Sequence, residues 1–140
     1  MNIVLDTNVL ISAVLWKGLP FDALKIILKK HSLAQSQETL REFEKVIRRE
    51  KFTRILQKRQ LIVETVVASL VMESRIYTIS EKSSSMAKKI KVRDADDLIF
   101  VELAFEANAE FIVSGDRHLL ELGKVENTKI LPVNRFLAAM

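Results

Sequence analysis

The sequence predicts an α/β protein in which a mostly parallel β-sheet carries helices on both of its faces. Short apolar runs rich in β-branched residues alternate about five times with longer segments whose apolar residues recur at helical spacing. Alternation of this kind is typical of parallel strands joined by helical crossovers. The chain has 140 residues, enough for one domain with a substantial core, and it shows no linker, internal repeat or low-complexity tract. A single domain over residues 1–140 is therefore expected.

The elements of the amino-terminal half begin with a buried strand at Ile3-Val4-Leu5, where two of the three apolar residues are β-branched. The polar residues after this strand favour a turn or a helix cap. The further elements predicted in this half are a first helical segment from Val9 that Gly18-Leu19-Pro20 punctuates, a helix over Phe21–Lys30, a strand over Ser32–Gln35, and a helix that begins at Ser36 and runs through Ile47.

The carboxyl-terminal half continues the alternation of helices and strands. Its predicted elements are a helical segment over Leu56–Met72, a strand over Arg75–Ile79, a polar loop or loosely held helix over Ser80–Lys91, a helix over Asp94–Asn108, a strand over Glu110–Ser114, a short helix over Arg117–Leu122, a strand over Thr128–Leu131 and a terminal helix over Pro132–Met140. The apolar stripe of Leu56–Met72 fits either the core or a contact with another subunit.

The composition excludes several kinds of site. There is no cysteine, and the only histidines are His31 and His118, which excludes disulfides, thiolate zinc sites and multi-histidine metal centres. Any bound metal is then expected to have oxygen ligands and to be a hard cation. The longest apolar stretch, Leu61–Met72, is interrupted by Glu64 and is too short to span a bilayer, and the chain opens with a strand rather than a signal peptide. A cytoplasmic protein without a membrane partner is expected.

Charge is unevenly distributed along the chain, although the net charge is only +4. Between residues 41 and 59 eight basic residues face three acids, whereas between residues 94 and 121 eight acids face one arginine. This segregation indicates a basic surface for a polyanion beside an acidic site. Taken alone, the basic run between residues 41 and 59 is better explained by ordinary solvated helix faces.

Two acids directly follow predicted strands. Asp6 follows the first strand, and Asp116 comes two residues after the strand over Glu110–Ser114. Because the carboxyl ends of parallel strands meet at one edge of a sheet, these carboxylates are expected to converge. Carboxylates held together repel each other unless a cation separates them, which indicates a Mg²⁺ or Mn²⁺ site. Asp6 taken alone is explained equally well as the cap of the next helix.

Further acids occur at comparable places in the chain. Glu42 lies on the helix after the second strand, and Asp94, Asp96 and Asp97 lie at the start of a helix, where the helix dipole favours negative charge. Each of these residues alone is explained as a cap or a solvated side chain. Together with the acids that follow the strands, they are harder to explain in that way.

Four motifs carry a resemblance to a known family. They are Val4-Leu5-Asp6-Thr7-Asn8, Thr39-Leu40-Arg41-Glu42-Phe43, the run Asp97–Ala104, and Val113-Ser114-Gly115-Asp116. In order, spacing and flanking residues they resemble the PIN domain, and most closely the small bacterial and archaeal PIN proteins known as VapC-like toxins. No single motif is specific, but the four in order are, and they cover nearly the whole chain.

The resemblance implies a three-layer α/β/α sandwich with a mostly parallel five-stranded sheet. It also implies a Mg²⁺- or Mn²⁺-dependent endoribonuclease whose metal-binding and catalytic acids are Asp6, Glu42, Asp97 and Asp116. Asn8 and Ser114 match the supporting polar positions of the family, and Ser114 stands where many members have threonine. The alternatives that remain open are Asp94 or Asp96 in place of Asp97, and Glu38 in place of Glu42.

The expected partners are an RNA substrate and, if the chain is the toxin of a toxin–antitoxin pair, an antitoxin protein. A homodimer or higher oligomer is a further expectation. Basic residues expected to hold the RNA backbone are Arg41, Lys45, Arg48, Lys89, Lys91 and Arg93.

Two other functions stay open at this point. A phosphatase of the haloacid-dehalogenase type also begins with a strand and an aspartate, but it needs a second aspartate where this chain has Asn8. The other alternative is a non-catalytic module that binds RNA or a protein partner.

Overall fold

The computed structural model describes all 140 residues. Its centre is a six-stranded sheet. The strands are β1 (Asn2–Leu5), β2 (Ser32–Ser36), β3 (Ser74–Tyr77), β4 (Phe111–Val113), β5 (Lys124–Val125) and β6 (Thr128–Leu131). Their order across the sheet is β3-β2-β1-β4-β6-β5, and all neighbours are parallel except β5 and β6. The predicted mostly parallel sheet is confirmed.

The sheet has six strands rather than the expected five. The additional strand β5 has two residues and pairs with β6 through a tight hairpin in which Glu126 adopts a positive φ of 52°. A two-residue strand leaves no hydrophobic periodicity in the sequence, which is why the prediction missed it.

Nine helices surround the sheet. They are α1 (Thr7–Leu15), α2 (Leu19–Lys30), α3 (Gln37–Ile47), α4 (Glu50–Lys58), α5 (Val63–Glu73), α6 (Glu81–Lys88), α7 (Leu98–Ala107), α8 (Arg117–Leu120) and α9 (Val133–Ala139). None of them is long and apolar enough to cross a membrane.

Two hydrophobic clusters, one on each face of the sheet, form the core. On β1, Ile3 and Leu5 point into one cluster and Val4 into the other, as the two-residue period of a strand requires. The first cluster takes its helical residues from α1 to α5 and α9, and the second from α6, α7 and α8. The expected arrangement of a sheet between two helical layers is confirmed.

Three predicted helices differ in detail from the structure. The helical segment expected over Leu56–Met72 is divided between α4 and α5, and Gln60 between them has a φ of 58°. The helix expected from Asp94 begins with a 3₁₀ turn over Ala95–Asp97 before α7. Ser80–Lys91, for which the sequence predicts a polar loop or a loosely held helix, contains α6.

The register of β1 and β4 places the residues that follow these strands side by side. Leu5 of β1 lies beside Val113 of β4, and the backbone N–H of Asp6 donates to the carbonyl of Val113 over 3.0 Å. The residues that directly follow these two strands therefore lie next to each other at the carboxyl edge of the sheet.

Candidate active site

Asp6 both caps a helix and faces the acidic cleft. It follows β1 and is the N-cap of α1, where its Oδ1 accepts a hydrogen bond of 2.8 Å from the N–H of Val9. Its Oδ2 accepts a hydrogen bond from the hydroxyl of Ser114, and the residue is only 5% exposed. Burial raises the pKa of Asp6, while the hydrogen bonds from Ser114, Val9 and Gly115 oppose that rise and the charge of Asp116 adds to it. Asp6 is thus a helix cap, and its role as a site residue stays a prediction.

Ser114 connects the two strand ends. It is fully buried, its hydroxyl donates to Asp6, and the same oxygen accepts a hydrogen bond of 2.9 Å from the backbone N–H of Asp116. A single side chain thus fixes the carboxylate after β1 and the backbone after β4. This contact pattern fits the supporting position that the sequence predicted for Ser114.

Asp97, Asp116 and His118 form a group of potential metal ligands. One carboxylate oxygen of each aspartate and one ring nitrogen of His118 lie within 4.8 Å of one another. Asp116 is the N-cap of α8, where its Oδ1 accepts a hydrogen bond of 2.8 Å from the N–H of His118. Asp97 reaches the group from the start of α7, at the end of the 3₁₀ turn. Two separate segments, the start of α7 and the start of α8, therefore converge at one point.

The pKa of the Asp97 carboxyl group is strongly raised in this cleft. Burial raises its pKa to about 7, and a hydrogen bond to the carboxyl of Asp116 and the charges of Asp116, Asp94 and Asp6 add to the rise. Asp97 is 8% exposed, and its buried Oδ2 has no hydrogen-bond partner. Without a cation, the buried carboxylate is thus held with one oxygen unsatisfied beside other negative charges.

This donor set fits a divalent cation. A cation placed among these groups removes the repulsion between Asp97 and Asp116 and satisfies the unpartnered Oδ2 of Asp97. Asp6 and Glu42 lie outside the group of three, although the charge of Asp6 acts on Asp97 and Asp116 acts on Asp6.

Glu42 lies in a neighbouring depression rather than in the group of three. This depression has a volume of about 290 Å³, and Glu38, Glu42 and Asp96 are its acidic lining residues, together with the basic residues Arg41 and Lys45. Sequence periodicity placed Glu42 on the correct helix, α3, but it does not define how α3 packs against the start of α7.

The alternatives to Asp97 occupy other places. Asp94 is the N-cap of the 3₁₀ turn, and its Oδ1 accepts a hydrogen bond of 3.0 Å from the N–H of Asp96. Asp94 and Asp96 are both exposed, whereas Asp97 is buried in the cleft. The geometry therefore favours Asp97 among the three.

Asn8 lines a depression that also reaches Asp6 and Asp116. This depression has a volume of about 350 Å³ and is lined by Asp6, Asn8, Ser12 and Asp116 among others. Asn8 is exposed, and its side chain makes no hydrogen bond within the chain. It is therefore placed to contact a bound molecule rather than to orient a carboxylate.

The largest surface depression, about 690 Å³, lies at the opposite edge of the sheet. It is lined by the start of α6, the end of α7 and the residues that precede β4 and β6. Its size does not make it the active site, because it lacks the convergent acids of the opposite edge.

His118 is not among the residues that the sequence predicts for the site. Only oxygen ligands are predicted, because two histidines, His31 and His118, are too few for a multi-histidine metal centre. The relevant signal is its position two residues after Asp116, at the start of a helix capped by that aspartate. Such a helix start brings the two side chains to the same edge of the sheet.

The basic residues expected to bind RNA lie in three different surroundings. Arg41 and Lys45 line the Glu42 depression, whereas Arg48 forms ion pairs with Glu44 and Glu64 at 2.9 and 3.2 Å. The other expected residues are exposed on the segment that leads to Asp94, namely Lys89, Lys91 and Arg93.

The chain matches a known protein family over the region that contains the acids at the carboxyl edge of the sheet. Residues 2–118 match the PIN domain family. The chain belongs to the PIN domain family. No curated protein sequence matches it.

Two solved structures share the fold of this PIN domain. A chain of VapBC2 from Rickettsia felis, crystallised with a DNA fragment from their promoter, has 16% identity and a TM-score of 0.66, with 93% of this chain and 97% of that chain covered. VapC20 from Mycobacterium tuberculosis, described as a Sarcin-Ricin loop cleaving toxin, has 13% identity and a TM-score of 0.59, with 89% and 97% covered. At these identities the likeness concerns the fold.

Proposed function

We propose that this PIN domain is a Mg²⁺- or Mn²⁺-dependent endoribonuclease that hydrolyses RNA phosphodiester bonds in the cytoplasm as the toxin of a toxin–antitoxin pair. The observation that carries the proposal is the buried, unpartnered Oδ2 of Asp97 beside the carboxyl group of Asp116. The structural likeness to VapC20, a loop-cleaving toxin, supports the same activity.

Asp97 and Asp116 are the first candidates to bind the metal. Each presents a carboxylate oxygen to the same point, and burial of Asp97 excludes most of the water that competes for that oxygen. When bound there, a divalent ion polarises the scissile phosphate and lowers the pKa of a coordinated water. Asp6 contributes through the lone pairs that its hydrogen bonds from Val9 and Ser114 leave free.

Ser114 serves as a positioning residue. Its hydroxyl holds one oxygen of Asp6 and the backbone of Asp116 at the same time, so neither group changes direction when RNA enters. On the exposed side of Asp6, Asn8 offers an amide to the sugar–phosphate backbone.

Glu42 is proposed to orient or deprotonate the attacking water rather than to hold the first ion. It shares its depression with Asp96, beside the segment that positions Asp97. The basic residues of the same depression, Arg41 and Lys45, are suited to bind phosphates of the RNA on either side of the cleavage point.

Two alternatives are less well supported. A haloacid-dehalogenase-type phosphatase needs an accessible nucleophilic aspartate, but Asp6 is 5% exposed with both oxygens hydrogen-bonded, and the chain belongs to the PIN family. A non-catalytic binding module does not account for the raised pKa and the unsatisfied oxygen of Asp97.

The antitoxin partner and the oligomeric state are part of the proposal. Support for a protein partner comes from the VapBC2 complex, whose fold this chain shares. The expected apolar stripe of Leu56–Met72 is divided, because Leu56, Val63 and Leu70 are buried in the core whereas Met72 is 86% exposed. The exposed part is available for a partner or a second copy.

The test is cleavage of a pool of labelled RNAs by the purified chain. Cleavage is expected with Mg²⁺ or Mn²⁺ and should stop when EDTA is added or when Asp116 is replaced by asparagine. The matched control is Asp94→Ala, which removes a nearby charge outside the group of three and should retain cleavage. Undiminished cleavage in EDTA contradicts the mechanism, and a covalent phospho-aspartate would indicate the phosphatase instead.

A further inference from the structure

The ring of His118 is the one nitrogen donor in the acidic cleft, and the mechanism above gives it no role. We propose that His118 is a direct ligand of the metal, so that the site has a mixed nitrogen and oxygen donor set that prefers Mn²⁺ to Mg²⁺. This inference rests on the proposed function in one respect, namely that the cleft binds a divalent cation.

The position of the ring agrees with direct coordination. One ring nitrogen lies within 4.8 Å of a carboxylate oxygen of Asp97 and of one from Asp116. For bonds of about 2.1 Å in an octahedron, neighbouring ligands are roughly 3.0 Å apart and opposite ligands roughly 4.2 Å apart. Side-chain movements of up to roughly 2 Å are therefore sufficient to bring all three atoms to one ion.

The backbone holds the ring at this place. The N–H of His118 donates to Oδ1 of Asp116 over 2.8 Å, and the next residue, Leu119, is fully buried in the second hydrophobic cluster. His118 is half-buried, and its ring makes no hydrogen bond within the chain. The imidazole is thus positioned by its backbone while both ring nitrogens stay available.

His118 is important as a ligand because the other acids expected in the site offer few free oxygens there. Both oxygens of Asp6 already accept hydrogen bonds, from Val9 and Ser114, and Glu42 lies in a different depression. The donors that converge are therefore one carboxylate oxygen of Asp97, one of Asp116 and the imidazole.

A nitrogen ligand changes which cation is favoured. Mg²⁺ prefers oxygen donors and a nearly ideal octahedron, whereas affinity for mixed nitrogen and oxygen sites rises along the first transition series from Mn²⁺ onward. Replacing His118 should consequently weaken Mn²⁺ binding much more than Mg²⁺ binding. An imidazole that instead binds only an RNA phosphate predicts no effect on either ion.

The direct test is pulsed electron paramagnetic resonance of the Mn²⁺-loaded full chain. Modulation of the electron spin echo by a coordinated ¹⁴N nucleus is expected, and it should change to the ¹⁵N pattern when the protein is labelled with ¹⁵N-histidine. His31 is the matched control, because it lies before β2, at the opposite edge of the sheet. The signal should persist in His31→Gln and disappear in both His118→Gln and His118→Ala.

Metal affinity provides the second measurement. In His118→Ala, Mn²⁺ affinity should fall by about tenfold or more and Mg²⁺ affinity by less than about threefold. Bound Mn²⁺ without histidine nitrogen coupling, or equal losses for both ions, overturns the role of His118 and leaves the proposed function intact. Absence of any Mn²⁺ binding to the parent chain overturns the metal site itself, and with it the proposed function.

Discussion

Replacing Asp97 by asparagine should stabilise the protein while it is free of metal. In the folded chain the pKa of Asp97 rises from 3.8 to about 7, chiefly because the carboxyl is buried and secondly because it shares a hydrogen bond with the carboxyl of Asp116. A carboxyl group whose pKa is raised by folding destabilises the folded state progressively as the pH increases through that range. The metal-free parent should therefore lose stability between about pH 4 and pH 7 and change little above it.

The magnitude follows from the size of the pKa change. A rise from 3.8 to about 7 sets an upper limit of about 4 kcal/mol on the free energy of unfolding that is lost at pH 8. Asp116 is half-buried, so solvent screens part of this interaction and the expected loss is about 1–2 kcal/mol. Asp97→Asn removes the charge and nearly preserves the shape. Its Tm in EDTA should exceed that of the parent by roughly 3–8 °C at pH 8, and by about a quarter of that at pH 4.5.

Thermal melts followed by circular dichroism at both pH values test this expectation. Asp94→Ala is the control, since it removes the cap of the 3₁₀ turn and should cost about 1 kcal/mol at pH 8. Adding Mg²⁺ or Mn²⁺ should raise the Tm of the parent and hardly that of Asp97→Asn, because a ligand stabilises only the form that binds it. A mutant less stable than the parent at pH 8 in EDTA would refute the reasoning.

Substitutions at three further places separate the roles of the neighbouring residues. Ser114→Ala removes the donor to Asp6, so it should cost about 1.5–3 kcal/mol of stability and reduce metal affinity by roughly tenfold or more. Ser114→Thr should retain both the stability and the metal affinity. Equal behaviour of the two variants would contradict the role of the hydroxyl. Removing the charges of Arg41 and Lys45 together should raise KM and reduce the salt dependence of RNA binding with little change in kcat, and an unchanged salt dependence excludes them as phosphate contacts. Glu42→Gln should reduce cleavage by roughly 10²–10⁴-fold while Mn²⁺ affinity stays unchanged; a parallel loss of Mn²⁺ affinity makes Glu42 a ligand, and Glu38→Gln is the matched control.

The parts of the fold that the sequence predicts are those with strong local signals. The strands β1 and β4 are short apolar runs, and a parallel sheet brings their carboxyl ends together, so the proximity of Asp6 to Ser114 and Asp116 follows from sequence. The flanking Leu98 also favours Asp97 over Asp94 by register, and the burial of Asp97 agrees with that choice.

The parts that the sequence does not predict depend on tertiary packing or on single residues. The break between α4 and α5 occurs at Gln60, which has a positive φ. A positive φ is usually predicted from a glycine, and this position has none. The separation of Glu42 from the group of three depends on how α3 packs beside the start of α7, which helical periodicity does not define. The proposed role of His118 depends on the proximity of Asp97 and Asp116 in space, which the sequence does not define.

Helix capping explains how the fold tolerates so many acids at one edge of the sheet without a bound cation. Asp6 caps α1, Asp116 caps α8, and Asp97 occupies the N-cap position of α7, so three helices direct their amino termini toward one cleft. Backbone N–H groups and helix dipoles at these termini stabilise negative charge. Two of the three acids also accept a capping hydrogen bond within their own helix, and only Asp97 lacks one. Repulsion is therefore concentrated on the residue with the unsatisfied oxygen, while the helices that carry the site remain capped. Removal of metal should accordingly abolish cleavage and leave the far-ultraviolet circular dichroism of the chain unchanged.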